Sequence, residues 1–174
     1  MHTLFYPHTV AVIGVSAKPT NLGRNIVANL MDFGFTGIVY AVGPRGGAIA
    51  TRPIYPSVLD IPDQVDLVII LTPARTLPGI LDECGKKGVR WAVVETAGLG
   101  EYSEEGQKIE TEMMRVAKQY GIRIIGPNCI GIINMENGLC SPFARLTPFK
   151  LGNVSLISQS GGLGISVLNS MTHE

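Results

Sequence analysis

The residues best able to do chemistry in this chain are small and polar, and they cluster where apolar runs end. Thr9-Val-Ala-Val-Ile13 breaks into Gly14-Val-Ser16, followed by Lys18, Pro19, Asn21 and Gly23. Gly14 permits a sharp turn, Ser16 brings a hydroxyl to the start of a helix, and Asn21 is a side chain that caps helices. Gly23 lets that helix approach either a ligand or a strand closely. Unpaired amides at the amino end of a helix hold phosphate, and the first turn of a nucleotide-binding βαβ unit uses them so. The spacing Gly14-x-Ser16 lacks the second and third glycines of the dinucleotide fingerprint. A plain strand–turn–helix with no ligand is therefore the competing reading.

The second apolar run, Ile38 to Val42, exits into Pro44, Arg45, Gly46 and Gly47. A NAD site carries an acid at this exit to hydrogen-bond the ribose hydroxyls, whereas an arginine accommodates a phosphorylated ribose. A guanidinium is a permanent, forked cation that matches phosphate better than a neutral diol. Arg45 thus predicts a phosphate-bearing ribose, as in NADP or coenzyme A; a solvated loop charge is the alternative. Later run ends supply Thr72, Pro73 and Ala74, then Thr96, Ala97 and Gly98, then Asn128. Small groups at 72–74 leave room for a flat base, although Pro73 also suits a helix start. Glu95 reads as a functional group or as a structural carboxylate. Cys84, Cys129 and Cys140 have no histidine close in sequence and read as buried small hydrophobes. His2 and His8 read as surface residues, and His173, almost at the chain end, is not expected to be catalytic.

The elements that must position these groups alternate along the chain. Strands are expected at Val10–Val15, Ile38–Val42, Asp66–Pro73, Trp91–Thr96 and Arg123–Ile125. Helices are expected at Leu22–Phe33, Leu77–Lys87 and Glu104–Tyr120, closed by Gly34, Gly88 and Gly121. Arg52–Pro56 reads as irregular and leads into a brief helix near Ser57–Leu59. This α/β order predicts a parallel, Rossmann-like sheet with right-handed crossovers. Asn128–Lys150 breaks the rhythm as a linker or small hairpin, and Asn153–Gly162 begins a new strand–turn–helix. The expected division is a first domain over 1–128, a linker or hairpin over 129–152, and the start of a second, flavodoxin-like domain over 153–174. Too small to stand alone, that last piece either packs on the first domain or, the favoured reading, marks the chain as the front part of a longer protein.

The bulk numbers exclude several classes. The 174 residues carry 14 basic and 14 acidic side chains, for a formal net charge of zero. Nucleic-acid binding would call for a strong basic excess. The 21 glycines and 11 prolines fall between apolar runs as turn punctuation. Three cysteines, an odd number without metal-ligand spacing, predict reduced thiols in a cytoplasmic protein and no metal. No apolar stretch reaches the roughly 18 residues of a membrane span, and no secretory signal opens the chain.

Five ordered motifs together carry a resemblance. They are Val12-Ile-Gly-Val-Ser-Ala-Lys-Pro19 with Gly23, Pro44-Arg-Gly-Gly47, Leu71-Thr-Pro-Ala74, Gly126-Pro-Asn-Cys129 with Gly131-Ile-Ile-Asn134, and Leu156-Ile-Ser-Gln-Ser-Gly-Gly162. The chain resembles, over nearly its whole length, the NDP-forming acyl-CoA synthetases, which include ADP-forming acetate–CoA ligase and the α subunit of succinyl-CoA synthetase. The resemblance implies a first domain that binds coenzyme A. Gly14, Ser16, Lys18, Pro19, Asn21 and Gly23 would cradle phosphates, Pro44 would line the site beside them, and Arg45 would stand where succinyl-CoA synthetase has a lysine. Thr72, Pro73, Ala74, Thr96, Ala97, Gly98 and Asn128 would flank the nucleotide and the pantetheine arm. Ser158, Ser160, Gly161 and Gly162 would hold phosphate in the second domain. The family's phosphohistidine has no match here, so no catalytic residue is assigned. ATP, ADP and Mg would be handled only by absent parts, an ATP-grasp domain or subunit among them. The residues leave open the acyl substrate, the choice of ADP or GDP, an attached acetyltransferase domain and the oligomeric state, a homo-oligomer included. Two other functions stay in play: a non-catalytic CoA-binding or CoA-sensing module, and an NADP-binding oxidoreductase domain.

Overall fold

Strands and helices alternate through residues 2–49, 51–101 and 103–171, which a computed structural model describes. A short helix α1 (His2–Phe5) precedes β1 (Thr9–Ile13), α2 (Leu22–Asp32), β2 (Ile38–Val42), β3 (Ala48–Ile49), β4 (Arg52–Tyr55) and β5 (Leu67–Ile70). Then follow α3 (Leu77–Lys86), β6 (Trp91–Val94), α4 (Glu104–Tyr120), β7 (Arg123–Ile125), β8 (Ile133–Asn134), β9 (Leu139–Cys140) and α5 (Gly161–Met171). His173 and Glu174 lie outside the described residues.

Among the described residues seven strands form one sheet in the order β3-β4-β2-β1-β5-β6-β7, parallel except for β3 against β4. Every residue of β1, β5 and β6 is buried. That explains why these strands read as continuous apolar runs with no polar alternation. Their side chains divide between two cores. Ala11, Ile13, Val68, Ile70, Ala92 and Val94 pack under α3 and α4 with Leu77, Leu81 and Met113. Val10, Val12, Leu67, Ile69, Trp91 and Val93 pack on the other face with Ile26, Val27 and Leu30 of α2. Each fully buried Leu, Ile or Val stabilises the fold by roughly 1.5–3 kcal/mol.

The helices stop and start as their caps dictate. Asn21 caps α2, the Ser103 hydroxyl accepts from the Gly106 amide at the start of α4, and Gly121 ends α4 at φ +68°. Two expectations need correction. Arg52–Pro56, expected to be irregular, contains β4, whose Ile54 and Tyr55 pair with Ala41 and Val42 of β2. The long-range partner and the burial of Ile54 override the two prolines, and Pro53 faces only the short strand β3. The strand expected from Asn153 is not formed: residues 151–160 are exposed and have no strand pairing among the described residues, while helix α5 does form. A strand needs a neighbour to satisfy its backbone, and none lies beside this segment.

The excursion after residue 128 is a hairpin, β8–β9, packed onto the main body. Leu139, Cys140 and Ser141 are fully buried. Asn29, itself buried in α2, donates from Nδ2 to the carbonyls of Pro142 (2.8 Å) and Ala144 (2.7 Å), and its Oδ1 accepts from Arg145 (2.8 Å). One asparagine thus fastens the hairpin to the sheet's covering helix.

Candidate functional site

The chain winds outward from β1 through β2 to β4, then returns to β5 on the other flank. Strand order therefore reverses between β1 and β5, the place where open parallel sheets bind ligands. The turn leaving β1 is set by close approaches that only glycine allows. Gly14 has φ +108°, and a Cβ there would fall 2.0 Å from the Leu71 carbonyl oxygen. A Cβ at Gly23 would fall 2.8 Å from the Gly14 carbonyl oxygen, and one at Gly43 would fall 1.9 Å from that of Val15. Of the two roles open to Gly23, the structure shows packing of α2 against the turn.

Asn21 closes this turn. Its Oδ1 accepts from the amides of Ser16 (3.0 Å) and Arg24 (2.9 Å), and its Nδ2 donates to the Gly14 carbonyl (2.9 Å). Ser16 thereby has its amide committed, while its hydroxyl has no partner among the described residues. Lys18 and Pro19 protrude from the loop. Because Gly43 packs on Val15, Pro44 and Arg45 emerge beside this same turn, both exposed.

A cleft of about 350 Å³ opens at the reversal, lined by Thr20, Asn21, Leu22 and Gly23, by Leu71 to Ala74, and by Thr96 and Ala97. The structure thus brings Asn21, Gly23, Thr72, Pro73, Ala74, Thr96 and Ala97 into one wall. Thr20, Leu22 and Leu71 were missed by the sequence reading, and their only signal was position within the two turns. Thr96 is buried, and its hydroxyl donates to the Thr72 carbonyl (2.9 Å) and accepts from the Thr72 amide (3.2 Å). It ties the exits of β5 and β6 together. Thr76 extends the network by donating to Thr72 Oγ1 (3.0 Å). Gly98, at φ +84°, turns the chain away beyond the cleft, and Asn128 borders it through an amide bonded to the Thr96 carbonyl (3.1 Å).

Two other groups stand apart from the cleft wall. Glu95 is 3% exposed, and neither carboxylate oxygen makes a hydrogen bond. Burial pushes its pKa up to about 9; the Ser141 hydroxyl and the Phe143 backbone lie near enough to lower it in part without completing a hydrogen bond. Burial also pushes the Cys84 and Cys140 thiols up to about 12 and Cys129 to about 11, consistent with inert small hydrophobes. At the far end, Ser160 Oγ accepts from the Leu163 amide (3.3 Å) and Ser158 Oγ donates to the Ser160 carbonyl (2.9 Å). Gly161 opens α5 against Ile130, where a Cβ would fall 2.8 Å from the Ile130 side chain. Those serines and glycines form a helix start separate from the cleft lining.

The sequence profile described as "CoA binding domain" matches residues 8–135, which span the sheet, the cleft and the first hairpin strand. The chain belongs to this family. As a CoA binding domain it is 46% identical over 168 residues to "Acetate--CoA ligase [ADP-forming] I" of Archaeoglobus fulgidus, covering 97% of this chain and 24% of that protein. It is 42% identical over 172 residues to "Acetate--CoA ligase [ADP-forming] I subunit alpha" of Pyrococcus furiosus, covering 97% and 37%. In structure it matches the dinucleotide-forming acetyl-coenzyme A synthetase 1 of Ca. Korarchaeum cryptofilum, solved with phosphate and ADP, at TM-score 0.91 and 38% identity, covering 99% of this chain and 36% of that one. The domain therefore spans between about a quarter and just over a third of these proteins. None of its helices, among the described residues, is long and apolar enough to cross a membrane.

Proposed function

We propose that this chain binds coenzyme A as the front part of an ADP-forming acid–CoA ligase, in which acid, CoA and ATP yield acyl-CoA, ADP and phosphate. The observation that carries this reading is the cleft at the strand reversal, with Arg45 and Lys18 exposed beside the turn that forms its rim. Arg45 and Lys18 would meet the phosphates, and the Gly14–Gly23 turn would supply amides and the helix end. Thr72 to Ala74, Thr96 to Gly98 and Asn128 would border the adenosine and the pantetheine arm. CoA would contribute its thiol as the group that accepts the acyl unit. The lengths of the relatives support assigning the remaining steps, including the phosphohistidine and the nucleotide, to parts beyond these residues.

On the same reading, residues 153–174 open a second unit, and Ser158, Ser160, Gly161 and Gly162 hold phosphate there. Leu151, Val154, Leu156 and Leu163 are more than half exposed and Ile157 is wholly so, which supports burial against further chain. An ATP-grasp domain or subunit is the expected partner, and the cytoplasm the expected compartment.

Calorimetric titration with CoA, dephospho-CoA and NADPH tests the proposal. CoA should bind, and removing its 3′-phosphate or making Arg45→Ala should each weaken binding about tenfold, the worth of one charge-assisted contact. Equal affinities for CoA and dephospho-CoA would remove the role given to Arg45. Tight NADPH binding with none for CoA would turn the reading toward an oxidoreductase.

A further inference from the structure

The cleft leaves one buried ionisable group unexplained. Glu95 lies at the carboxyl end of β6, immediately before the cleft residue Thr96, and points to the face covered by the β8–β9 hairpin. Gly131, at φ +88°, presses on it: a Cβ there would fall 2.6 Å from Glu95 Oε1 and 1.9 Å from Ser141 Oγ. Ser141 Oγ accepts from the Ile132 amide (2.7 Å) and so fastens the base of the hairpin over the carboxyl. A buried polar group without a hydrogen bond is costly, and a buried charge far more so.

We propose that Glu95 is a proton-controlled clasp: the base of the hairpin closes over its uncharged carboxyl and is released when the carboxyl ionises. The titratable groups facing it are the thiols of Cys129, in the turn after β7, and of Cys140, in β9. No charged side chain among the described residues acts on it to offset ionisation. Arg145, the cation that acts on the Cys140 thiol, is held instead by Asn29 and Asp32. With the hairpin closed the carboxyl titrates at about 9, and when solvated it returns to its ordinary value of 4.5. The closed form therefore holds its proton more tightly than the open one. Closure is firmest below pH 4.5 and loosens, by up to about tenfold per pH unit, until pH 9. Because Gly161 packs on Ile130, next to Gly131, the clasp also sets how the Ser158–Gly162 segment is presented. None of this depends on which ligand fills the cleft.

The test is alkylation of the 174-residue chain by iodoacetamide from pH 6 to 9, with each cysteine followed by peptide mass spectrometry. Cys140 reports the hairpin, and Cys84, on the buried face of α3 in the other core, reports global unfolding. The Cys140 rate in the wild type, divided by that in Glu95→Gln at the same pH, should climb by up to about tenfold per unit, and Cys140 should react ahead of Cys84 throughout because the hairpin opens without the rest of the fold. Should the glutamine variant not fold, Glu95→Met removes the same charge and serves as the reference in its place. A flat Cys140 ratio, or Cys140 reacting no faster than Cys84, overturns the proposal.

Discussion

At the scale of single residues, the site depends on side chains that fix backbone more than on groups aimed at a ligand. Asn21 spends both ends of its amide on the turn, holding Gly14, Ser16 and Arg24 in one arrangement. Replacing it with alanine removes the helix cap and two further bonds. Asn21→Ala should lower the unfolding free energy by about 1–2 kcal/mol in urea titrations and weaken CoA binding in calorimetry. A variant that lost affinity with unchanged stability would instead mark Asn21 as a direct contact. The structural parts of Gly14 and Asn21 were legible in the sequence because each acts on its own turn. The pairing of Thr96 with Thr72 and the closure of Gly131 over Glu95 join residues 24 or more positions apart, and no local pattern records such a contact.

At the scale of elements, apolar periodicity located β2, α4 and β7 to the residue, since each is bounded by a glycine or a capping side chain. It failed at β4, where Pro53 and the following Pro56 look like a break until β2 is beside it, and at residues 153–157, where apolar character alone does not make a strand. The hairpin is the element whose attachment matters most. Asn29 holds it through buried bonds to Pro142 and Leu146 and through half-buried bonds to Ala144 and Arg145. Asn29→Ala would leave several of these groups without partners, so a loss of about 3 kcal/mol is expected. Hydrogen exchange should quicken first at residues 139–146, while β1 and β5 keep their protection. Uniform quickening would show that the hairpin and sheet open as one unit.

At the scale of the whole molecule, stability resides in the sheet and its two faces. Residues 151–160 are exposed throughout and contribute little to it. A chain ending at Lys150 should keep its unfolding free energy within about 1 kcal/mol of the full sequence, as measured by urea denaturation. A larger loss would show that α5, through Gly161 on Ile130, braces the hairpin. The same ten residues have a colloidal consequence. Val154-Ser-Leu-Ile157 presents an uncharged, β-prone backbone whose hydrogen-bonding edge is open to water. Left unpaired, it is a template for pairing with its own copies, and concentrated solutions of the 174-residue chain should cloud sooner than those of the version cut at Lys150.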